Sequence, residues 1–225
     1  ITVTDYLDEN GHYKVSKYKL NFSPDIVYGN AGYNTFYGVQ GSTVMAFSDM
    51  LGNHQIYILT NLLFDLKNSD YALAYFYLPK RLDLGIQGFH SARFLLISNL
   101  AGTADSLYRF RNYGVTGLAL YPVNKFDRFD FSLSWYNITK DNLDNTLAST
   151  QKRSLIVPAL SYVHDNSLWG LIAPANGERY NITFMASPKI NNEALGFYSI
   201  TVDYRNYYRL WRNYTFVLRL AGGGS

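Results

Sequence analysis

The sequence has no cysteine, only three glutamates (Glu9, Glu178 and Glu193) and no apolar run approaching the roughly eighteen residues of a membrane-spanning helix. Without cysteine there is neither a disulfide framework nor a thiolate metal site. The net charge of +3 comes from twenty Lys and Arg against seventeen Asp and Glu. These cations form no run, so nucleic acid is not a suggested partner. The N-terminal residues lack a signal-peptide pattern, which implies a mature product or a fragment.

What the chain does have is aromatic residues, 17% of the total with 21 Tyr, and a two-residue periodicity. Val39, Gly41, Thr43, Met45 and Phe47 share one face of an extended segment, because side chains alternate along a strand. Asp49 to His54 then supplies turn residues, and a second apolar face follows at Ile56, Ile58, Leu62 and Phe64. Arms of about ten residues are also what a tilted strand needs to cross a bilayer.

The same unit recurs. Strands are predicted at Tyr18–Phe22, followed by a loop over 23–38, and then from 39, 55, 71, 82, 113, 129, 155, 180, 198 and 214. Pro158 inside one of them predicts a bulge or a weakly paired position. Residues 1–16, with Asp8-Glu9-Asn10-Gly11, read as a linker or the tail of a preceding domain. The predicted fold is all-β, an antiparallel meander of about eleven strands over 17–225.

Three features set the apolar face toward lipid rather than toward a soluble core. The polar faces carry Ser, Thr, Gln, Asn and Gly with Arg or Asp, while Lys sits in turns or near the start. Opposite charges recur on one strand face, Arg128 with Asp130 and Asp203 with Arg205, as in a polar barrel lumen. Aromatics gather near strand ends (Tyr57, Tyr71, Tyr77, Tyr113, Tyr121, Trp135, Tyr180, Tyr198, Tyr204, Tyr214), where an aromatic girdle belongs. A soluble β-sandwich or barrel with a Tyr-rich surface is the competing reading.

Several motifs follow one another in a familiar order: S-D-M-L-G-N-H (Ser48–His54), Y-P-V-N-K-F-D-R-F-D-F (Tyr121–Phe131), the run from Ser161 to Tyr180, and V-D-Y-R-N-Y (Val202–Tyr207). In these the chain resembles the BamA-like bacterial surface antigen family. The resemblance implies part of a transmembrane β-barrel of about sixteen strands in the bacterial outer membrane. It places periplasmic turns at 49–54, 79–82, 122–127, 164–176 and 207–213, and extracellular loops at 23–38, 65–69, 98–109, 139–153 and 188–195. Two family features are missing. There is no Arg-Gly pair, hence no Arg-Gly-aromatic motif, and the closing strands with the terminal aromatic signal are absent. The expectation is the N-terminal two-thirds of a barrel, in a protein with periplasmic accessory domains or a TolB-like propeller upstream.

Catalytic chemistry is not indicated. No nucleophile elbow, His-Glu-x-x-His, Walker or dinucleotide fingerprint is present. His12, His54, His90 and His164 lack ligand spacing. Asp141-Asn142-Leu143-Asp144-Asn145 departs from a calcium loop at Leu143 and lacks its glycine. No cofactor is expected. The resemblance implies a non-catalytic scaffold for insertion or translocation of polypeptides, with outer-membrane lipid and an unfolded chain as partners. A passive outer-membrane channel and a soluble Tyr-rich carbohydrate-binding β-domain are the alternatives. The charged residues expected to face the lumen are Arg128, Asp130, Arg179, Asp203, Arg205 and Arg219.

Overall fold

The computed structural model describes residues 7, 12–13, 17–35, 38–63, 65–98, 105–145, 147, 149–190, 193–212 and 214–225. Its strands are β1 (Phe22–Asn34), β2 (Gly38–Asp49), β3 (His54–Leu62), β4 (Asp70–Tyr77), β5 (Asp83–Ser98) and β6 (Asp105–Pro122). They continue with β7 (Asp127–Asn142), β8 (Gln151–Asp165), a two-residue β9 (Leu168–Trp169), β10 (Pro174–Ser187), β11 (Phe197–Trp211) and β12 (Tyr214–Gly224). One 3-10 turn, Leu66–Asn68, lies between β3 and β4. Apart from β9, which pairs only with β10, every strand is hydrogen-bonded to its neighbour in sequence. The result is a single antiparallel meander of eleven long strands, with β1 and β12 at its edges.

The predicted pattern holds for the meander and fails at its start. The expected loop over 23–38 is a strand for most of its length, because Phe22–Asn34 pairs with β2. Pro24, Gly29, Asn30 and Gly32 blur its alternation, and a register shift between Pro24 and Ile26 breaks the period. The strand predicted at Tyr18–Phe22 contributes only Phe22. Tyr18 instead donates its hydroxyl to Asp49 at 2.6 Å, and that bond to a carboxylate raises the Tyr18 pKa. The expected linker 1–16 lies outside the described residues except at 7, 12 and 13, where Leu7 and Tyr13 form an isolated bridge. Pro158 causes no bulge. It pairs with Leu133 of β7, and the ladder from β8 to β10 stops one residue short of it, at Ala159. Its missing N–H therefore falls where the second ladder has ended.

Register separates the two faces. One row joins Phe131, Leu160, Phe184 and Ile200, directly opposed from β7 through β8 and β10 to β11. The next row in register joins Ser132, Ala159 and Met185 on the other face. Phe129, Phe131, Leu133 and Trp135 stay 43–48% exposed, while Ser134 between them is 4% exposed. No second layer covers the aromatic row among the described residues. Among the described residues the buried apolar ones are few and mostly small: Ala46, Ala92, Leu155, Ala194 and Tyr207. Burial here is the partial kind that neighbouring strands give each other, and no packed interior forms.

On the polar face two aromatic rings lie over glycines directly opposite them. Phe76 covers Gly85, and Tyr136 covers Gly114. A Cβ on Gly114 would collide with the Trp135 carbonyl and the Tyr136 ring, whereas one on Gly117 meets nothing within 4 Å. Gly114→Ala should thus cost roughly 1–3 kcal/mol of stability. Gly117→Ala should stay within about 0.5 kcal/mol. Urea titration followed by tryptophan fluorescence reads both, and equal losses would contradict the register.

Candidate functional site

All six charged residues singled out in the sequence fall on the polar face. The register runs Asp165, Arg179, Arg205, Arg219 in one row and Arg128, Val163, Asn181, Asp203 in the next. Asp203 is the centre of one cluster, with Arg205 Nη2 at 2.9 Å and Arg219 Nη2 at 2.8 Å from its Oδ2. Arg128 forms a fork on Asp130, its Nη2 lying 2.9 Å from Oδ2. Arg179 is directly opposite Arg205 but reaches Asp165 on the other side, at 3.5 Å. The i, i+2 spacing within a strand marks Arg128–Asp130 and Asp203–Arg205. The Asp165–Arg179 pair depends on how the β8–β10 hairpin registers, and Asp165 reads in sequence as a turn residue.

The apolar face is bounded by polar and aromatic networks that the sequence pattern does not reveal. At the end with the short turns, the Tyr162 hydroxyl and His164 Nδ1 both lie 2.7 Å from Asp127 Oδ1. His164 stacks on Tyr180 with centroids 4.8 Å apart, and Tyr204 donates to Glu178 at 3.1 Å. His54 packs at tilted angles against Tyr75 and Tyr77 of β4, at the same end of the sheet. Tyr57, expected in this girdle, opposes Ala46 and Ala74 and lies on the polar face, with its hydroxyl on Gln55.

At the opposite end the boundary is built from β4 to β7 and the turn at Leu66–Asn68. Tyr71, His90 and Tyr113 oppose one another in register and stack, His90 lying 4.9 Å from Tyr71 and 6.3 Å from Tyr113. His90 is 9% exposed, and its Nδ1 is 2.8 Å from the Ser69 carbonyl. A carbonyl only accepts, so Nδ1 carries the hydrogen. Ser69 is wholly buried and ties the turn together through the Asp65 and Leu63 backbones. One residue pair further along, Arg109 binds Asp141 at 2.8 Å and Asn68 at 3.1 Å, and Arg111 reaches Asp141 at 3.3 Å. Thr150 also donates to Asp141, Leu107 N donates to Asp144, and Asn142 caps the backbone of Asp144 and Asn145. The acidic run that faintly matches a calcium loop therefore spends its oxygens on protein donors.

The architecture is that of an antiparallel meander with one apolar and one polar face, the class to which open or partial β-barrels belong. No protein-family model matches the chain, and no curated sequence matches it. Among solved structures, the chain is similar to BamA from Haemophilus ducreyi lacking POTRA domains 1–3, with a TM-score of 0.57 and 16% identity. The match covers 92% of this chain and 41% of that chain. The fold is thus part of a BamA-like barrel, and the chain spans less than half the length of that neighbour.

Replacing Asp203 with Asn leaves Arg205 and Arg219 facing each other without an anion. Both arginines are more than a third exposed, at 37% and 57%, so solvent screens the pair. The expected loss is about 1 kcal/mol or less, and smaller for Arg219→Gln. A double-mutant cycle followed in urea checks this. Coupling well above that ceiling would show that the cluster is shielded from water.

Proposed function

We propose that the chain is the N-terminal part of an outer-membrane barrel, residues 17–225, that serves as a non-catalytic scaffold for inserting or translocating polypeptides. Its apolar face meets bilayer lipid, and its polar face lines a lumen in which Arg128, Asp130, Arg179, Asp203, Arg205 and Arg219 set the polarity. The short turns lie in the periplasm and the longer loops outside, as outer-membrane barrels arrange them. Residues 1–16 lead from a preceding domain, either periplasmic repeats or a TolB-like propeller.

What supports this reading is the single meander with one apolar and one polar face and its likeness in fold to a BamA barrel. All residues of β1 (Phe22–Asn34) but Asp25 pair with β2, and in a closed barrel its other edge would meet the last strand. Opening of the barrel at that seam would offer a row of unpaired N–H and C=O groups to an incoming strand. A substrate chain would add to it by β-augmentation, and no bond would be broken. A photo-crosslinking residue at Ala31 of the full-length protein should capture newly made outer-membrane polypeptides, while one at Gly117 in the middle of the sheet should not. Equal capture at both positions, or none at Ala31, would overturn the reading. A steady single-channel conductance with no capture would favour the passive channel instead.

A soluble carbohydrate-binding domain would need a layer over Phe129, Phe131, Leu133 and Trp135, and the described residues supply none. The membrane reading makes its own prediction. Ile200 is 47% exposed on the apolar face, and Thr201 beside it is exposed on the polar face. Ile200→Arg should lower folding into lipid vesicles, at a cost of about 2–4 kcal/mol for a mid-membrane cation. Thr201→Arg should leave folding nearly unchanged. Efficient folding of the parent without lipid or detergent would sink the reading.

A further inference from the structure

The boundary cluster at the long-loop end of the apolar face lines an open, shallow recess of about 470 Å³. Its floor is aromatic, from Tyr71, His90, Tyr113 and Trp135, and its rim carries Lys67 and Arg111. Lys67 sits on the 3-10 turn and makes no ion pair among the described residues. Arg111 spends one Nη on Asp141, and its Nε is buried with no hydrogen-bond partner. The turn that presents Lys67 is pinned from beneath by His90 on the Ser69 carbonyl and by Arg109 on Asn68. Two anions are near: Asp141, already engaged by both arginines, and Asp65, which caps the turn through the Lys67 and Asn68 nitrogens. Arg109, Arg111 and Lys67 against Asp141 and Asp65 leave one positive charge in excess.

Further along the same face of β6 lies a trough. Two residues along β6 from Val115, on the same face, lie Gly117 and then Ala119. These small residues form the bed of a second, almost wholly apolar recess of about 450 Å³, walled by Leu84 and Ile86 on one side and Phe131 and Leu133 on the other. An aliphatic chain fits such a bed, and a cation pair at its polar end fits what heads the chain.

We infer that this surface is a binding site for a phosphate-bearing anionic membrane lipid, its phosphate held by Lys67 and Arg111 and one acyl chain laid in the Gly117–Ala119 trough. The inference rests on the reading that the apolar face lies in lipid. Arginine and lysine suit phosphate as fork and point charge respectively. The aromatic floor places them at the depth where headgroups sit.

Trp135 lines the recess and reports on it. The full-length protein, with every other tryptophan including Trp169 and Trp211 replaced by phenylalanine, is reconstituted in phosphatidylcholine vesicles. These contain either brominated phosphatidylcholine or brominated phosphatidic acid as quencher. Brominated phosphatidic acid should quench Trp135 with a preference of roughly fivefold. Lys67→Gln should remove most of that preference, while Lys80→Gln, in the turn at the other end, should not. Excess inorganic phosphate should leave the preference intact, and its abolition would assign the site to free phosphate instead of a lipid. Quenching by both lipids without preference, or a preference that Lys67→Gln leaves unchanged, would overturn the inference while the membrane reading stands. Quenching by neither would overturn both.

Discussion

A single sheet has no interior to hide in, so its strands are held first by the hydrogen-bond ladders that join each to its neighbours. In this chain the ladders run without a crossover from β1 to β12, and side-chain burial only supplements them. The aromatic row through Phe131, Leu160, Phe184 and Ile200 remains roughly half exposed even though each residue has partners on its flanks. In water such a face is a liability of the kind that drives association. In a bilayer it costs nothing, and the unmet backbone groups of an open loop or edge become the expensive feature instead. The fold therefore depends on its surroundings for the face and on its own backbone for everything else.

The polar face follows a different economy. Its charges are arranged as short forks between residues two apart on one strand or diagonal on the next, as in Arg128–Asp130 and Asp203 with Arg205 and Arg219. Such pairs let a wall carry arginine without demanding deep burial. The Thr116 and Ser134 hydroxyls, 2.9 Å apart, and the Ser161 and Thr183 hydroxyls, 2.8 Å apart, do the same with neutral groups. Ion pairs and hydroxyl pairs thus stitch neighbouring strands across the polar face.

Alternation made the long middle strands and their faces legible, because one face must be apolar wherever lipid or a core meets it. It could not reveal β1, whose Pro24 shift and glycines mask the period although the backbone pairs with β2 throughout. Nor could it show how far β6, β7 and β11 run beyond their apolar segments, since Arg109, Asp141 and Arg209 carry no two-residue signal. The six polar-face charges were readable from i, i+2 spacing and strand parity. The recess around His90 was not, because it joins residues from four strands and a turn through register that no single segment encodes. Tyr57 is the opposite case, an aromatic at a strand end whose parity puts it on the wrong face for a girdle.

Pro158 has a mechanical side. Below it β8 is held on both flanks, by β7 and β10, while from Gln151 to Pro158 it keeps β7 alone as a ladder partner, with one backbone bond from Ser154 to Glu193 on the other flank. The wall is therefore double-stitched through its lower course and single-stitched at this corner. A load spread across the sheet concentrates where the stitches are fewest, and the proline fixes that place in the chain itself. Any bending of the upper wall would start beside β8, at a height set by one imino acid.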